Sequence, residues 1–242
     1  MMPIELSVIM LCYGAGEALR GLAAQAVAVA SALSARYEVI LVANYLPGSS
    51  DRTTEIAAEL AGSDSAIRII SLPKRGMMGW DMKAGLKAAS GEYLCVIDGD
   101  GQFPMESIIS CYREITSGRY DLVKTYRSSR SDGFYRKMLS FAYNQLFALF
   151  FPGLRCNDVN SKPKIMTRSA YERMVLTADD WFIDAEIMLN VRRNRMAYHE
   201  IPVEFGALEE RPSFVSFKAV LEFIKNLIAY RIAEFRNHTD GK

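Results

Sequence analysis

Short apolar runs alternate with longer amphipathic stretches in the first half of the chain, and this alternation constrains the fold more than any other feature. The apolar, β-forming runs are Leu6–Cys12, Tyr37–Val42, Ile67–Leu72, Tyr93–Ile97 and Leu122–Tyr126. The stretches of helical composition between them are Glu17–Leu33, Arg52–Leu60, Met82–Ala89 and Pro104–Thr116. Strands that alternate with crossover helices predict an α/β fold, with a mainly parallel, Rossmann-like central sheet flanked by helices.

The second half of the chain has a less regular pattern. Its periodicity predicts helices at Gly133–Phe151, Phe182–Arg193 and Phe214–Arg236, and strands at Lys162–Met166 and Ala197–Phe205. No internal repeat, low-complexity stretch or linker interrupts the 242 residues, and this length is normal for one α/β domain. We therefore predict a single domain over residues 1–242.

Charge and apolar patterning exclude several classes of protein. A formal net charge of +1 lacks the basic excess of nucleic-acid binders, so no nucleic-acid partner is expected. No apolar run approaches the roughly 18 residues of a membrane span, and the N-terminus lacks the pattern of a signal peptide. The four cysteines form no C-x-x-C pair and are expected to be reduced. These features predict a cytoplasmic protein, either soluble or peripheral on a membrane.

The segment Asp98-Gly99-Asp100 carries the most chemical information. Its two aspartates follow a buried strand, and the adjacent glycines let the backbone turn sharply. Ligands of parallel α/β sheets bind at the carboxyl ends of strands. Carboxylates there, together with substrate phosphates, suit Mg²⁺ or Mn²⁺, and Gln102 offers a third, neutral ligand. The segment predicts a site for a divalent cation and a diphosphate; the structural alternative is an acidic turn that caps the next helix.

Several motifs, in order along the chain, resemble one enzyme family. Asp98-x-Asp100-x-Gln102 matches the metal motif of family 2 glycosyltransferases, which have the GT-A fold. From about Leu6 to Phe217 the chain is most similar to the branch with dolichyl-phosphate mannose synthases and bacterial polyprenyl-phosphate glycosyltransferases. The other segments that carry the resemblance are Lys74–Leu86, Gly91–Tyr93, Val123–Arg127, Arg136–Ser140, Asp158–Lys164, Phe182–Glu186, Glu200–Val203 and Arg211–Ser213.

The loops after the first two strands depart from the family pattern. Of the family's Pro-x-Tyr-Asn-Glu, only Tyr13 is present, and two acids after the second strand are replaced by Ala43 and Asn44. Asp51 and Thr53 of the following turn are retained. In the family these two acids often contact the nucleotide base, so their replacement leaves the identity of the base undetermined. The amide of Asn44 can still donate to and accept from a base edge.

The resemblance implies an inverting transferase that uses a nucleotide-sugar donor, Mg²⁺ or Mn²⁺, and a polyprenyl phosphate acceptor. Residues 1–126 would form the nucleotide-sugar-binding half, 127–212 the acceptor-side half and 213–236 a C-terminal amphipathic helix. The implied donor-binding residues are Cys12, Tyr13, Asn44, Asp51, Lys74, Asp98, Gly99 and Asp100, and the implied metal ligands are Asp98, Asp100 and Gln102. The implied acceptor-binding residues are Arg127, Arg136, Asp158, Arg211 and Ser213.

The nature of the acceptor decides whether Asp184 joins Asp98 and Asp100 as a catalytic residue. A hydroxyl acceptor must lose a proton, and Asp184, near the start of a helix, is the candidate base. A phosphate acceptor is already ionised and needs no strong base. Two further interpretations stay open: a non-catalytic nucleotide-sugar-binding subunit and a nucleotidyltransferase.

The final predicted helix is amphipathic and carries lysines and arginines beside its apolar face. A basic amphipathic helix can lie in a membrane interface. Packing against the body of the protein, or against a second copy in a homo-oligomer, fits the same pattern. The sequence leaves these alternatives open.

Overall fold

The predicted alternation of strands and helices produces one seven-stranded sheet. The computed structural model describes residues 3–130, 134–206, 223–232 and 234. Its strands are β1 (Leu6–Leu11), β2 (Tyr37–Val42), β3 (Ile67–Ile70), β4 (Tyr93–Asp98), β5 (Leu122–Arg130), β6 (Lys164–Thr167) and β7 (Tyr198–Phe205). Its helices are α1 (Ala18–Leu33), α2 (Thr53–Ser63), α3 (Met78–Ala88), α4 (Ser107–Ile115), α5 (Phe134–Phe150), α6 (Arg168–Glu172) and α7 (Ile183–Arg193).

The sheet is mainly parallel, as predicted. The strands lie in the order β3-β2-β1-β4-β6-β5-β7. The first four in this order are parallel to one another, β6 runs antiparallel to β4 and β5, and β7 is parallel to β5. The carboxyl ends of β1, β2 and β4 therefore meet at one edge, where ligands bind in sheets of this kind.

Both faces of the sheet are covered by apolar layers. Alternate residues of a strand point to opposite faces, so Val8 and Met10 pack on one side with α1, α2 and α4. Ile9 packs on the other side with side chains from α3, α5 and α7. Because both faces are buried, the central strands read as continuous apolar runs rather than alternating ones.

The sequence prediction missed the start of two helices and did not foresee a third. Helix α3 begins at Met78 rather than Met82, because backbone carbonyls of residues 179–180 accept from N–H groups at its amino end. The predicted helix at Pro104 begins only at Ser107. The short helix α6 was not predicted; the hydroxyl of Thr167 caps it by accepting from Ala170 N.

The predicted C-terminal helix is described only in part. Residues 223–232 are helical, and Phe223 and Leu227 are buried in the apolar layer that also contains Phe147 of α5. The ring of Phe223 stacks on Tyr143 of α5. This part of the predicted helix therefore packs against the body of the protein. Residues 213–222, 233 and 235–236 lie outside the described residues.

Within the described residues, no helix combines the length and the apolar character needed to cross a lipid bilayer. All four cysteines are free thiols.

Candidate active site

The Asp98-Gly99-Asp100 turn lies at the carboxyl edge of the sheet. Asp98 ends β4 directly opposite Leu11 of β1. The N–H of Gly99 donates to the carbonyl oxygen of Leu11 at 2.9 Å, and a Cβ at position 99 would lie 2.9 Å from the same oxygen. Only glycine allows this close approach. The carboxylate of Asp100 accepts from the backbone N–H of Gln102 at 3.0 Å, which fixes the turn.

The donor atoms of this turn fit a divalent cation that shares its coordination with a substrate. Asp98 keeps 25% of its side chain exposed, and Asp100 follows two residues later. The described part of the chain contains no group of three or more acidic, histidine or cysteine side chains that could by itself hold a metal ion. Mg²⁺ is commonly held by one or two carboxylates together with substrate phosphates, so two carboxylates suffice. The amide nitrogen of Gln102 donates to Gly206 O at 3.4 Å, which leaves its amide oxygen as the side-chain atom able to coordinate metal.

A buried lysine contacts the first of these carboxylates. Lys162 is 2% exposed, and its Nζ lies 3.3 Å from the carboxylate of Asp98 and 3.0 Å from that of Asp184. Burial alone would lower the pKa of Lys162, but the two carboxylates outweigh it and raise the pKa above its ordinary value. Lys162 is thus a fixed positive charge beside the predicted metal ligand. Sequence analysis missed this role, although Lys162-Pro163 stands where the similar family has Gly-Phe.

Asp184 has a different environment from the one expected of a general base. It is 1% exposed and forms ion pairs with Lys162 and with Lys164, at 2.5 Å from the latter. Burial by itself would raise the pKa of Asp184, but the two ammonium groups hold it below its ordinary value. Burial lowers the pKa of Lys164 to about 8, against the attraction of Asp184. A carboxylate paired in this way is a poor proton acceptor, so the structure does not favour Asp184 as base.

A second cluster lies at the ends of β2 and β3. The amide of Asn44, 2% exposed, donates to the carboxylate of Asp81 at 2.8 Å and accepts from Leu72 N at 2.9 Å. The other oxygen of Asp81 pairs with Lys74, and the ammonium of Lys74 lies 4.2 Å from the ring centre of Tyr13. Sequence analysis selected three of these residues, and the structure brings them together around Asp81. The expectation that Asn44 reads a base edge is weakened, because its oxygen and one of its two N–H groups already have protein partners.

Cys12 does not present its side chain to a ligand. It is fully buried, its thiol donates to Met10 O, and burial raises the pKa of the thiol far above its ordinary value. The side chain of Cys12 therefore contacts protein atoms in this structure, and a contact between Cys12 and the nucleotide stays a prediction that concerns its backbone. Only the backbone of Cys12 lies at the carboxyl edge of the sheet.

Asp51 ties together the loops that follow β1 and β2. Its carboxylate accepts from the N–H and the hydroxyl of Thr53, at 3.1 and 2.6 Å. The hydroxyl oxygen of Thr53 in turn accepts from Gly16 N at 2.8 Å. In this structure Asp51 shapes the predicted nucleotide pocket through Thr53.

The predicted acceptor residues Arg127 and Asp158 form a bidentate ion pair. The Nε and Nη2 atoms of Arg127 lie 2.5 and 2.8 Å from the two carboxylate oxygens of Asp158. Although burial would raise the pKa of Asp158, this guanidinium lowers it to about 2. The guanidinium also lies 5.2 Å from the ring centre of Phe205. An acceptor phosphate at Arg127 would have to compete with Asp158.

Two glutamates, the buried Glu186 and the partly buried Glu200, stabilise the surroundings of the site. Glu186 accepts from the N–H groups of Thr177 and Ala178, and from the hydroxyl of Tyr230 in the helical segment 223–232. Glu200 pairs with the fully buried Lys124 at 3.1 Å. Both glutamates have structural partners.

Three predicted acceptor residues lie wholly or partly outside the described structure. Arg211 and Ser213 lie outside the described residues. For Arg136 the structure describes the backbone, as part of α5, but not the side chain.

Comparison with known families and curated proteins gives one consistent result. The family model described as glycosyl transferase family 2 matches residues 7–180. Dodecaprenyl-phosphate galacturonate synthase of Rhizobium johnstonii is 28% identical over 229 residues, which cover 93% of this chain and 66% of that protein. Undecaprenyl-phosphate 4-deoxy-4-formamido-L-arabinose transferase of Yersinia pestis is 32% identical over 143 residues, which cover 59% of this chain and 42% of that protein. The chain thus spans less than two thirds of the length of these relatives.

Solved structures share the fold of this chain. Glucosyl-3-phosphoglycerate synthase of Mycobacterium tuberculosis, crystallised with Mn²⁺, UDP and phosphoglyceric acid, has a TM-score of 0.67 at 19% identity, covering 93% of this chain and 76% of that one. A complex of the same enzyme with Mn²⁺ and UDP-glucose has a TM-score of 0.68, covering 95% and 79%. At this level of identity the likeness concerns the fold, and it confirms the predicted GT-A architecture.

Proposed function

Because the chain belongs to glycosyl transferase family 2, we propose that it transfers a sugar from a nucleoside diphosphate sugar to a polyprenyl phosphate, with inversion at the transferred carbon. The observation that carries the proposal is the position of Asp98 and Asp100. Both carboxylates lie at the carboxyl end of β4, next to the ends of β1 and β2, where a nucleotide bound at this edge would place its diphosphate.

The nucleotide would bind between the loops after β1 and β2. Tyr13 is 37% exposed and offers a ring face for the base, while the Asn44–Asp81–Lys74 cluster lines the pocket beside it. Asp51, through Thr53, holds the loop after β1 in place. Both oxygens of Asp81 and the side-chain oxygen of Asn44 already have protein partners. Recognition of the base would therefore rely on the second N–H of the Asn44 amide and on backbone atoms.

The divalent cation, Mg²⁺ or Mn²⁺, would be held by Asp98, Asp100 and the amide oxygen of Gln102. Such an ion neutralises the charge that develops on the departing nucleoside diphosphate. The hydrogen bond from Gly99 N to Leu11 O fixes the backbone between the two carboxylates against β1. The Mn²⁺ and UDP-glucose in the structure of the mycobacterial enzyme support this assignment by analogy of fold.

Polyprenyl phosphate is the acceptor that the surroundings of Asp184 favour. A phosphate is ionised at neutral pH and can attack without a base, whereas a hydroxyl acceptor would require one. The candidate base Asp184 is buried and paired with two lysines. The names of both relatives, which specify dodecaprenyl and undecaprenyl phosphate, support the same choice. We assign Arg127, Arg136, Asp158, Arg211 and Ser213 to the acceptor side, as the sequence indicates.

An apolar surface supports peripheral attachment to the membrane that holds such an acceptor. On α5 the side chains of Met138, Phe141 and Leu149 are 55, 66 and 75% exposed. In the helical segment 223–232, which packs against α5, Ile228 and Ile232 are 43 and 47% exposed. Helix α5 contains no acidic residue. Exposed apolar side chains on α5, which lacks acids, and on the neighbouring helical segment suit insertion into a lipid interface, and we propose the cytoplasmic face.

The donor site can be tested by binding. Purified protein is titrated with a panel of nucleoside diphosphates and their sugars, in Mn²⁺ and in EDTA. We expect one nucleotide family to bind only with the metal. Asp100→Ala should abolish this binding, whereas Glu106→Ala, which removes an exposed carboxylate from the same loop region, should leave it intact. Equal binding by the wild type in EDTA and in Mn²⁺, or by Asp100→Ala and the wild type, would refute the donor site.

The acceptor is tested with vesicles that contain either a polyprenyl phosphate or the corresponding polyprenol. Transfer to the phosphate alone supports the proposal, because only the phosphate is ionised without a base. Transfer to the alcohol or to a soluble sugar would replace the proposed acceptor with a hydroxyl. Metal-dependent nucleotide-sugar binding without turnover on any acceptor would favour a non-catalytic subunit.

A further inference from the structure

Lys162 is a buried cation whose position is set by three partners. Its Nζ lies 3.0 Å from Asp184, 3.3 Å from Asp98 and 3.4 Å from the sulfur of Met78. An ammonium group has three N–H donors, and each one therefore has an acceptor. Because the side chain is only 2% exposed, water cannot take over these contacts.

The partner on the inner side of Lys162 is held independently. The second oxygen of Asp184 pairs with Lys164 at 2.5 Å, and Lys164 also donates to Ser161 O at 2.9 Å. Asp184 therefore has a second cationic partner that does not contact Asp98. The partner on the outer side, Asp98, is the most exposed member of the group, with 25% of its side chain accessible.

These four side chains are electrically balanced before any ligand binds. The carboxylates of Asp98 and Asp184 are matched by the ammonium groups of Lys162 and Lys164. Asp100 adds one negative charge to what a divalent cation would meet at this turn. An ion that approaches Asp98 also meets the ammonium of Lys162 close to the same carboxylate, and the repulsion of two cations at such distances is strong in a partly buried site.

We infer that Lys162 is an internal counter-cation of Asp98, which weakens the binding of a divalent cation to the free protein and makes that binding depend on a nucleoside diphosphate. This inference rests on the proposed donor site. The diphosphate contributes at least two negative charges, so cation and nucleotide together restore the balance that the cation alone disturbs. Lys162 acts through Asp98 and is a positioning residue.

The coupling is measured on the full chain with Mn²⁺ as the probe, alone and with saturating UDP or GDP. Free Mn²⁺ is followed by its electron paramagnetic resonance signal. We expect the wild type to bind Mn²⁺ at least about tenfold more tightly with the effective nucleotide than without it. Lys162→Gln should bind Mn²⁺ alone at least about tenfold more tightly than the wild type does, because the competing charge is gone. A purely structural role for Lys162 would not produce this gain.

Two further variants complete the experiment. Lys162→Arg retains the positive charge and should keep the wild-type dependence on nucleotide. Lys83→Gln removes a lysine that pairs with Asp179 at 2.7 Å rather than with Asp98. It should change neither the affinity for Mn²⁺ alone nor the affinity for Mn²⁺ with nucleotide. Thermal unfolding of each variant shows whether it is folded. If Lys162→Gln does not fold, the Mn²⁺ affinities of the wild type and of Lys162→Arg decide whether the inference stands.

The inference is overturned if folded Lys162→Gln binds Mn²⁺ alone no more tightly than the wild type. It is also overturned if the wild type binds Mn²⁺ equally well with and without nucleotide, or if Lys162→Arg gains affinity for Mn²⁺ alone. In those cases metal and nucleotide still bind, and the proposed donor site stands. If the wild type binds neither Mn²⁺ nor any nucleotide, the donor site and the inference fail together.

Discussion

The ion pair between Arg127 and Asp158 determines whether Arg127 is free for an acceptor phosphate, and acidification tests it directly. Arg127 is 11% and Asp158 8% exposed at the side chain, with two short contacts between them. The pKa of Asp158 is lowered to about 2 from an ordinary 3.8. The folded protein thus favours the ionised carboxylate more strongly than the unfolded chain does.

The size of this preference follows from the two pKa values. Their difference corresponds to about 2.4 kcal/mol of folding free energy at neutral pH. Because the folded-state pKa is the lower one, this stabilisation is complete well above pH 3.8 and is lost as the pH falls through 2. At pH 3 about 1.3 kcal/mol should remain.

The assay is urea unfolding of the wild type and of Asp158→Asn at pH 6 and pH 3. The asparagine cannot ionise, so the difference in unfolding free energy between the two proteins should shrink by about 1 kcal/mol at pH 3. In an Arg127→Gln background this pH dependence should disappear or reverse its sign, because burial alone would raise the pKa of Asp158. An unchanged difference at the two pH values would refute the reasoning, since Asp158 would then not be held by Arg127.

Three further substitutions test other contacts. Gly99→Ala should abolish metal-dependent nucleotide binding in titration calorimetry, because its Cβ would lie 2.9 Å from Leu11 O; wild-type affinity would contradict this. Tyr13→Ala should weaken nucleotide binding roughly tenfold through lost stacking and change the unfolding free energy by less than about 0.5 kcal/mol; an unchanged dissociation constant would exclude Tyr13 from the base site. Tyr230→Phe, which removes a hydrogen bond to buried Glu186, should lower the unfolding free energy by about 1.5–3 kcal/mol, and an unchanged urea midpoint would contradict this contact.

The sequence alone was sufficient for the fold class. Buried parallel strands must be apolar along their whole length, and the crossover helices between them must have one apolar face. The alternation of strands and helices can therefore be recognised from the local order of apolar and polar residues. The ends of the elements were less predictable. Helix α3 begins at Met78 because carbonyl groups of residues 179–180, about a hundred residues away in the chain, accept from its first N–H groups. No residue near Met78 in the sequence indicates that these distant carbonyl groups cap the helix.

In the site, too, the sequence identified some residues as candidates and could not show what surrounds others. Asp98, Gly99 and Asp100 could be selected from the sequence because two carboxylates beside glycines stand at the end of the fourth strand of an α/β pattern, where ligands bind. Asn44 and Cys12 were selected through the family resemblance, but burial and existing hydrogen bonds limit what their side chains can contact.

The role of Lys162 was decided only by tertiary structure. A lysine in a polar loop is ordinarily solvated, and its sequence neighbours do not reveal that Asp98 and Asp184 lie within 3.3 Å of its ammonium. Those two carboxylates come from the end of β4 and the first turn of α7, and they meet Lys162 only when β6 has paired with β4. The sequence determined the main strands and the helices between them, because these depend on local periodicity. The tertiary structure decided which charges face one another, because that depends on strand order.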